Sequence, residues 1–274
     1  MNFVVFNNQL FDSTKINLTN QNRGFLYGDG FFESIKIFNQ SPFNFNNHYN
    51  RIELSANFLG LEIPLSKDEL LIKLTDLLHS NNVENGSIRI TIFRDSDGKY
   101  YPNGNESSYI ITSIADQKTS FQKNISLSLG IYNDNLKSKS KLSNIKSLNS
   151  LLYVLASKYA KINGFDDVLL LNSNNNIIES TNSNLFLKTN DVVYTPPLSD
   201  GCVDGSMRKL LIPIIEKNFK IIYKSLQIED LFESDEVILS NAISGAKKVT
   251  LFKEREYSDE SLYNYLLKSI NNLI

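Results

Sequence analysis

Four short apolar runs, Val168 to Leu171, Ile177 to Ser180, Leu185 to Lys188 and Val192 to Thr195, follow one another with Asn-rich turns between them. Runs of that length bounded by turn formers read as β-strands, and their backbone N–H and C=O groups must find partners in a common sheet. The second half of the chain is therefore strand-rich. It opens with a strand from Ile125 to Ile131 and a polar loop rich in Lys and Ser that ends at Ile145-Lys146. A helix is predicted from Leu148 to Ile162, with Leu151, Leu152, Leu155, Ala156 and Tyr159 on one side and Asn163-Gly164 as its stop. Beyond Pro196-Pro197, Gly205 opens a helix of about ten residues, Val237 to Leu239 reads as a strand, and a last helix begins at Glu260 with Ser258 as its cap.

The first half reads as mixed α/β. Strands are predicted near Phe3 to Asn7, from Phe32 to Phe38, from Ile88 to Phe93 and from Ser108 to Ile114, with a turn through Asn39-Gln40-Ser41-Pro42. A helix spans Tyr49 to Leu59, and Ser66-Lys67-Asp68-Glu69 forms a capping box before Leu70 to His79. The polar, aperiodic stretch from Asp116 to Asn124 is the linker candidate. The fold class is mixed α/β (α+β), with a smaller N-terminal α/β domain over residues 1–118 and a larger strand-rich C-terminal domain over 119–274.

Charge narrows the partners. With 28 Lys and Arg against 30 Asp and Glu, and no basic stripe interleaved with aromatics, the chain offers no nucleic-acid surface, and small molecules are the expected ligands. No apolar run approaches the ~20 residues that span a bilayer. The single cysteine, Cys202, cannot form an internal disulfide, and the start has no leader pattern, so a cytoplasmic location is expected.

Three features carry chemistry. Lys146 stands where a polar loop meets an apolar helix, a setting in which an amine can become a Schiff-base former, although a lysine in a stretch with Lys137, Lys139 and Lys141 is ordinarily solvated. Glu179 ends an apolar strand and could face a cationic group such as a pyridinium nitrogen; the ordinary alternative is an edge carboxylate in water. The run Gly201-Cys202-Val203-Asp204-Gly205-Ser206-Met207-Arg208 is a glycine-bearing turn feeding a helix, which presents N–H groups and a positive dipole end to an anion such as phosphate.

In their order along the chain these pieces resemble one family. Arg23-Gly24-Phe25-Leu26-Tyr27-Gly28-Asp29-Gly30-Phe31-Phe32-Glu33 and His48-Tyr49-Asn50-Arg51 look like the N-terminal signature of class IV aminotransferases. Lys146-Ser147-Leu148-Asn149, Glu179 to Phe186, Val193-Tyr194-Thr195 and the Gly201 to Arg208 loop are similar to its cofactor half. The resemblance covers nearly the whole chain. It implies a two-domain fold-type IV enzyme, a homodimer, and pyridoxal 5'-phosphate bound as an aldimine on Lys146, which also shuttles the proton. Glu179 would pair with the pyridine nitrogen. Arg51 would grip the phosphate, helped by Ser206 and Met207 and by the backbone of Asn241 and Ala242. Tyr27, Phe32, Lys99 and Tyr101 would meet a small amino or oxo acid substrate.

Departures divide the subgroups. Branched-chain aminotransferases place a tyrosine five residues after the lysine, where this chain has Leu151, and a threonine where it has Ala242. D-amino-acid aminotransferases carry an Arg-x-His carboxylate trap, where this chain has Gly98-Lys99-Tyr100-Tyr101-Pro102. The 4-amino-4-deoxychorismate lyases of folate synthesis are similar at more of these places. The sequence therefore favours the lyase, with an aminotransferase of branched-chain or D-amino acids, or a non-catalytic cofactor-binding relative, as the alternatives.

Overall fold

The computed structural model describes residues 2–274. They form two compact units, Met1–Ser120 with Lys146–Asn149, and Phe121–Ile145 with Ser150–Ile274.

The first unit is built on β1 (Phe3–Phe6), β2 (Gln9–Asp12), β3 (Gly30–Phe38), β4 (Ser41–Pro42), β5 (Gly86–Arg94) and β6 (Ser107–Ala115), in the order β2-β1-β6-β5-β3-β4. Three helices accompany them: α1 (Arg23–Tyr27), α2 (Phe45–Leu59) and α3 (Lys67–Ser80). Alternation sorts the strands. Phe31, Glu33, Ile35 and Ile37 on β3 stand beside Ile92, Ile90, Ile88 and Gly86 on β5, and this buried face receives α2. Phe32, Ser34, Arg89 and Thr91 point to the other face, where none is fully buried. The turn between β3 and β4 puts Asn39 and Gln40 both at positive φ, 48° and 59°, a geometry whose twist matches the flanking strands. The capping box at Ser66 and Glu69 is present, with both reciprocal hydrogen bonds.

The second unit contains β7 (Ser128–Lys137), α4 (Leu151–Ile162), β8 (Asp167–Asn172), β9 (Ile177–Ser180), β10 (Asn184–Thr189), β11 (Val192–Thr195), α5 (Ser206–Ile215), β12 (Lys220–Tyr223), α6 (Ile228–Glu233), β13 (Glu236–Asn241), β14 (Gly245–Lys248), β15 (Leu251–Phe252), β16 (Arg255–Glu256) and α7 (Ser261–Asn271). The sheet closes on itself. From β7 the ladder passes through β8, β9, β10 and β13 to β14, and the chain runs straight on into β15, which pairs parallel with β7. Closure leaves as edges only short strands flanking the ring, such as β12 beside β11 and β16 beside β15. Aliphatic residues from every side of the ring, among them Leu129, Leu169, Ile177, Leu185, Leu239 and Val249, share one core. A second cluster, Tyr132, Ala156, Ala160, Val168, Leu170, Ile178 and Cys202, packs beneath α4 on the outer face.

Four local expectations are corrected. α4 begins at Leu151 rather than Leu148, because Ser147 and Leu148 are spent on pairing with β3. Its buried stripe is Leu152, Tyr153, Ala156, Tyr159 and Ala160, while Leu151 and Leu155 are exposed. Ser258 does not cap α7: the Glu236 carboxylate, from β13, accepts the N–H groups of Leu262 at 2.7 Å and Tyr263 at 3.0 Å. Local sequence cannot show a cap supplied from 26 residues away. β7 also continues to Lys137, past the expected end at Ile131.

Candidate active site

Lys146 lies in the first unit, held by its backbone. Its carbonyl accepts from Phe32 N–H at 3.0 Å, Ser147 bridges to Phe31, and Leu148 N–H donates to Gly30 O at 3.0 Å, so the segment extends the sheet along β3. A Cβ at Gly30 would come within 2.3 Å of Ile92 O, so the strand can approach there only as glycine. The Asn149 amide donates to Gly28 O at 3.1 Å, tying the segment to the left-handed end of α1. The lysine is half-buried, and its ammonium sits 4.5 Å from the centre of the Phe32 ring. Arg89, one strand over on the same face, stacks its guanidinium 3.7 Å from that ring centre, and burial pushes its pKa down. Phe32 thus gathers two cations on its π system. Sequence reasoning missed Arg89; the signal was a lone arginine at an alternate position of Ile88-Arg89-Ile90.

Arg51, on α2, faces the helix-covered side. Its Nε donates to Glu33 Oε1 at 2.6 Å and its Nη2 to Oε2 at 2.7 Å, and the His48 ring lies 2.6 Å from Oε2. All three are buried. Burial by itself raises the Glu33 carboxyl, but the Arg51 charge and the hydrogen bonds from His48 and Arg51 outweigh it, holding the group at about 2 against an ordinary 4.5. Tyr27 closes α1, partly exposed, with its ring 5.6 Å from that of Tyr100. Lys99 and Tyr101 are exposed on the loop between β5 and β6, which Arg23 holds through the carbonyls of Gly98 and Lys99.

In the second unit Glu179, Asn184 and Ser240 stand side by side across β9, β10 and β13, so their side chains share one face. The Val203 to Ser206 turn is tied to this row: Val203 N–H donates to Glu179 Oε2 at 2.8 Å, and the Asn184 amide donates to Val203 O at 2.8 Å. A Cβ on Gly205 would fall 1.9 Å from Asn184 Oδ1, which is why the turn needs glycine. α5 then starts with Ser206 and Met207, both buried, and its cap residue Gly205 supplies no side-chain acceptor. The Ser240 hydroxyl is buried without a hydrogen-bond partner. Asn241 spends its side chain on its own turn, accepting from Ile243 and Ser244 N–H and donating to Asn182 and Ser183. Glu179, read from sequence as an edge carboxylate or a cofactor partner, is buried; Lys137 Nζ at 2.6 Å and the Tyr153 hydroxyl at 2.8 Å both donate to its Oε1.

A sequence model of the amino-transferase class IV family matches residues 30–252. The chain belongs to that family. It is therefore a pyridoxal-phosphate-dependent enzyme with the fold-type IV architecture. D-alanine aminotransferase of Staphylococcus aureus (strain N315) is 28% identical over 249 residues, covering 88% of this chain and 86% of that one. A structure from Legionella pneumophila provisionally named 4-amino-4-deoxychorismate lyase superposes with a TM-score of 0.87 at 27% identity, over 96% of this chain and 97% of its own. The branched-chain aminotransferase of Thermoproteus uzoniensis, solved with norvaline, shares the fold with a TM-score of 0.90 at 21% identity, over 98% and 93%. Among the described residues no helix is long and apolar enough to cross a membrane, and no cluster of His, Cys, Asp and Glu could hold a metal ion.

Proposed function

We propose that this enzyme is a 4-amino-4-deoxychorismate lyase, releasing p-aminobenzoate and pyruvate for folate synthesis. One observation carries the choice over a branched-chain aminotransferase. The position where those enzymes resemble one another in a tyrosine is Leu151, 69% exposed, and the nearest tyrosine on α4, Tyr153, has committed its hydroxyl to Glu179. The other tyrosine of α4, Tyr159, packs its ring against Tyr132 in the cluster beneath the helix, so position 151 itself offers no phenol to the cofactor's phenolate oxygen. The similarity to the Legionella protein supports the same reading.

The residues of the second unit fit the cofactor. A carboxylate has about four lone-pair sites, and Glu179 has three donors, which leaves one direction for a pyridine N–H. The orphaned Ser240 hydroxyl and the positive dipole end of α5 at Ser206 and Met207 suit a phosphate. Ser240 restores the hydroxyl that Ala242 lacks, and Asn241 and Ala242 offer backbone. When bound, pyridoxal phosphate supplies an electron sink for the charge left as the substrate carbon loses its proton. Lys146 holds the cofactor and moves that proton on its Nζ. Arg51 provides phosphate charge, and its pairing with Glu33 fixes the guanidinium before any ligand arrives. Phe32, Tyr27, Tyr101 and the cations Lys99 and Arg89 would receive the substrate, whose carboxylates need positive partners.

A cytoplasmic homodimer completes the proposal. The pairing, though not the location, is supported by Leu151, Val154, Leu155 and Ile162, which form an exposed apolar stripe on α4 that a second copy would cover.

Aminodeoxychorismate supplied without any oxo acid should yield p-aminobenzoate and pyruvate in equal amounts. Transamination of leucine or D-alanine with 2-oxoglutarate, and no pyruvate from aminodeoxychorismate, would overturn the lyase and leave an aminotransferase.

A further inference from the structure

Lys137 belongs to a loop-flanking run of lysines that sequence alone assigns to solvent, yet it is 8% exposed. Its ammonium donates to Glu179 Oε1 at 2.6 Å and to Ser143 O at 2.9 Å, and it lies 5.4 Å from the centre of the Tyr153 ring. Tyr153 donates to the same carboxylate oxygen, and Val203 N–H holds the other. Burial and the Glu179 charge push the Tyr153 phenol well above its ordinary range, so it stays a donor. Burial and the same charge push Cys202 up to about 12, which leaves a neutral thiol nearby. Arg208, the other cation of this neighbourhood, gives its Nη2 to Pro196 O instead. Lys137 is thus the cation in direct contact with Glu179.

We propose that Lys137 and Tyr153 are positioning residues that tune Glu179 toward the cofactor ring: they occupy Oε1, leave the free acceptor direction on Oε2, and hold a positive charge against the carboxylate. The inference rests on Glu179 meeting the pyridine nitrogen. Between that nitrogen and the carboxylate one proton is shared, and an ammonium on the carboxylate favours the arrangement with the proton on the ring. A protonated ring is the stronger electron acceptor. Without Lys137 the ring nitrogen holds its proton less firmly, and the ring loses pull while remaining bound.

The test uses holoenzyme loaded with pyridoxal phosphate carrying ¹⁵N in the ring, read by solid-state NMR. In the wild type the ring nitrogen should resonate at the protonated position. Lys137→Met should move it toward the unprotonated position, with kcat lowered on the order of tenfold, the lower end of what groups orienting a functional ligand carry in metal sites. Lys137→Arg should restore both, and Tyr153→Phe should move the signal the same way by less. Should the buried carboxylate left by Lys137→Met prevent folding, Tyr153→Phe still reads the effect. An unmoved signal in every variant that folds would overturn the proposal. A wild-type protein that binds no labelled cofactor, or whose ring signal is unchanged by Glu179→Gln, would instead sink the cofactor placement on which it rests.

Discussion

Replacing Glu33 with Gln removes one negative charge from a buried cluster while keeping its shape. Glu33 is 1% exposed and is gripped by two bonds from Arg51 and one from His48. Its carboxyl is held at about 2 against an ordinary 4.5. A difference of roughly 2.5 units corresponds to about 3 kcal/mol of folded-state preference for the ionised form. Because the folded value is the depressed one, this contribution is fully present above pH 4.5 and is lost as the pH falls through about 2. Glu33→Gln should remove it at neutral pH and leave Arg51 buried beside a neutral amide, a defect worth on the order of 3–5 kcal/mol when one partner of a buried pair is lost. Urea unfolding of the cofactor-free protein from pH 2 to 8 measures both. The wild type should gain stability between pH 2 and 4.5 through this group, and the variant should be less stable at pH 7 and flatter across the acid range. A variant within 0.5 kcal/mol of the wild type at pH 7, the usual scatter of surface substitutions, would refute the reading of Glu33 and Arg51 as a buried, mutually dependent pair.

Two other outcomes are expected. Borohydride reduction of the holoenzyme should fix the cofactor on the peptide containing Lys146; labelling at Lys137 or any other lysine would place the site elsewhere. Arg51→Ala should weaken pyridoxal phosphate binding by about 1.5–3 kcal/mol, the range of a hydrogen bond to a charged group, or about one to two powers of ten, and should lower cofactor-free stability as well, since it strands Glu33. Unchanged affinity in a spectroscopic titration would move the phosphate to another cation.

Elements whose signal is local could be read before any fold was known. The alternation of Ile88 to Phe93, the Ser66 to Glu69 capping box and the four short runs from Val168 to Thr195 each depend on neighbours within a few residues and form as expected, and the turn expected through Asn39-Gln40-Ser41-Pro42 forms at Asn39-Gln40 while Ser41 and Pro42 pair as β4. The ordered motifs also gave the family, because chemistry demands residue types at spacings the chain retains. What the chain could not show locally depends on partners far along it. Gln9–Asp12, Lys220–Tyr223 and Gly245–Lys248 become strands because a neighbouring strand claims their backbone groups. Leu148 leaves the helix that its side chain suits because Gly30 claims its N–H. The sharpest case is charge. Nothing local in the sequence marks Arg51, Glu33 and Lys137 as paired charges, and only packing brings Arg51 onto Glu33 across 18 residues and Lys137 onto Glu179 across 42. A buried charge is tolerable only with its countercharge in contact, and that pairing is made by tertiary structure.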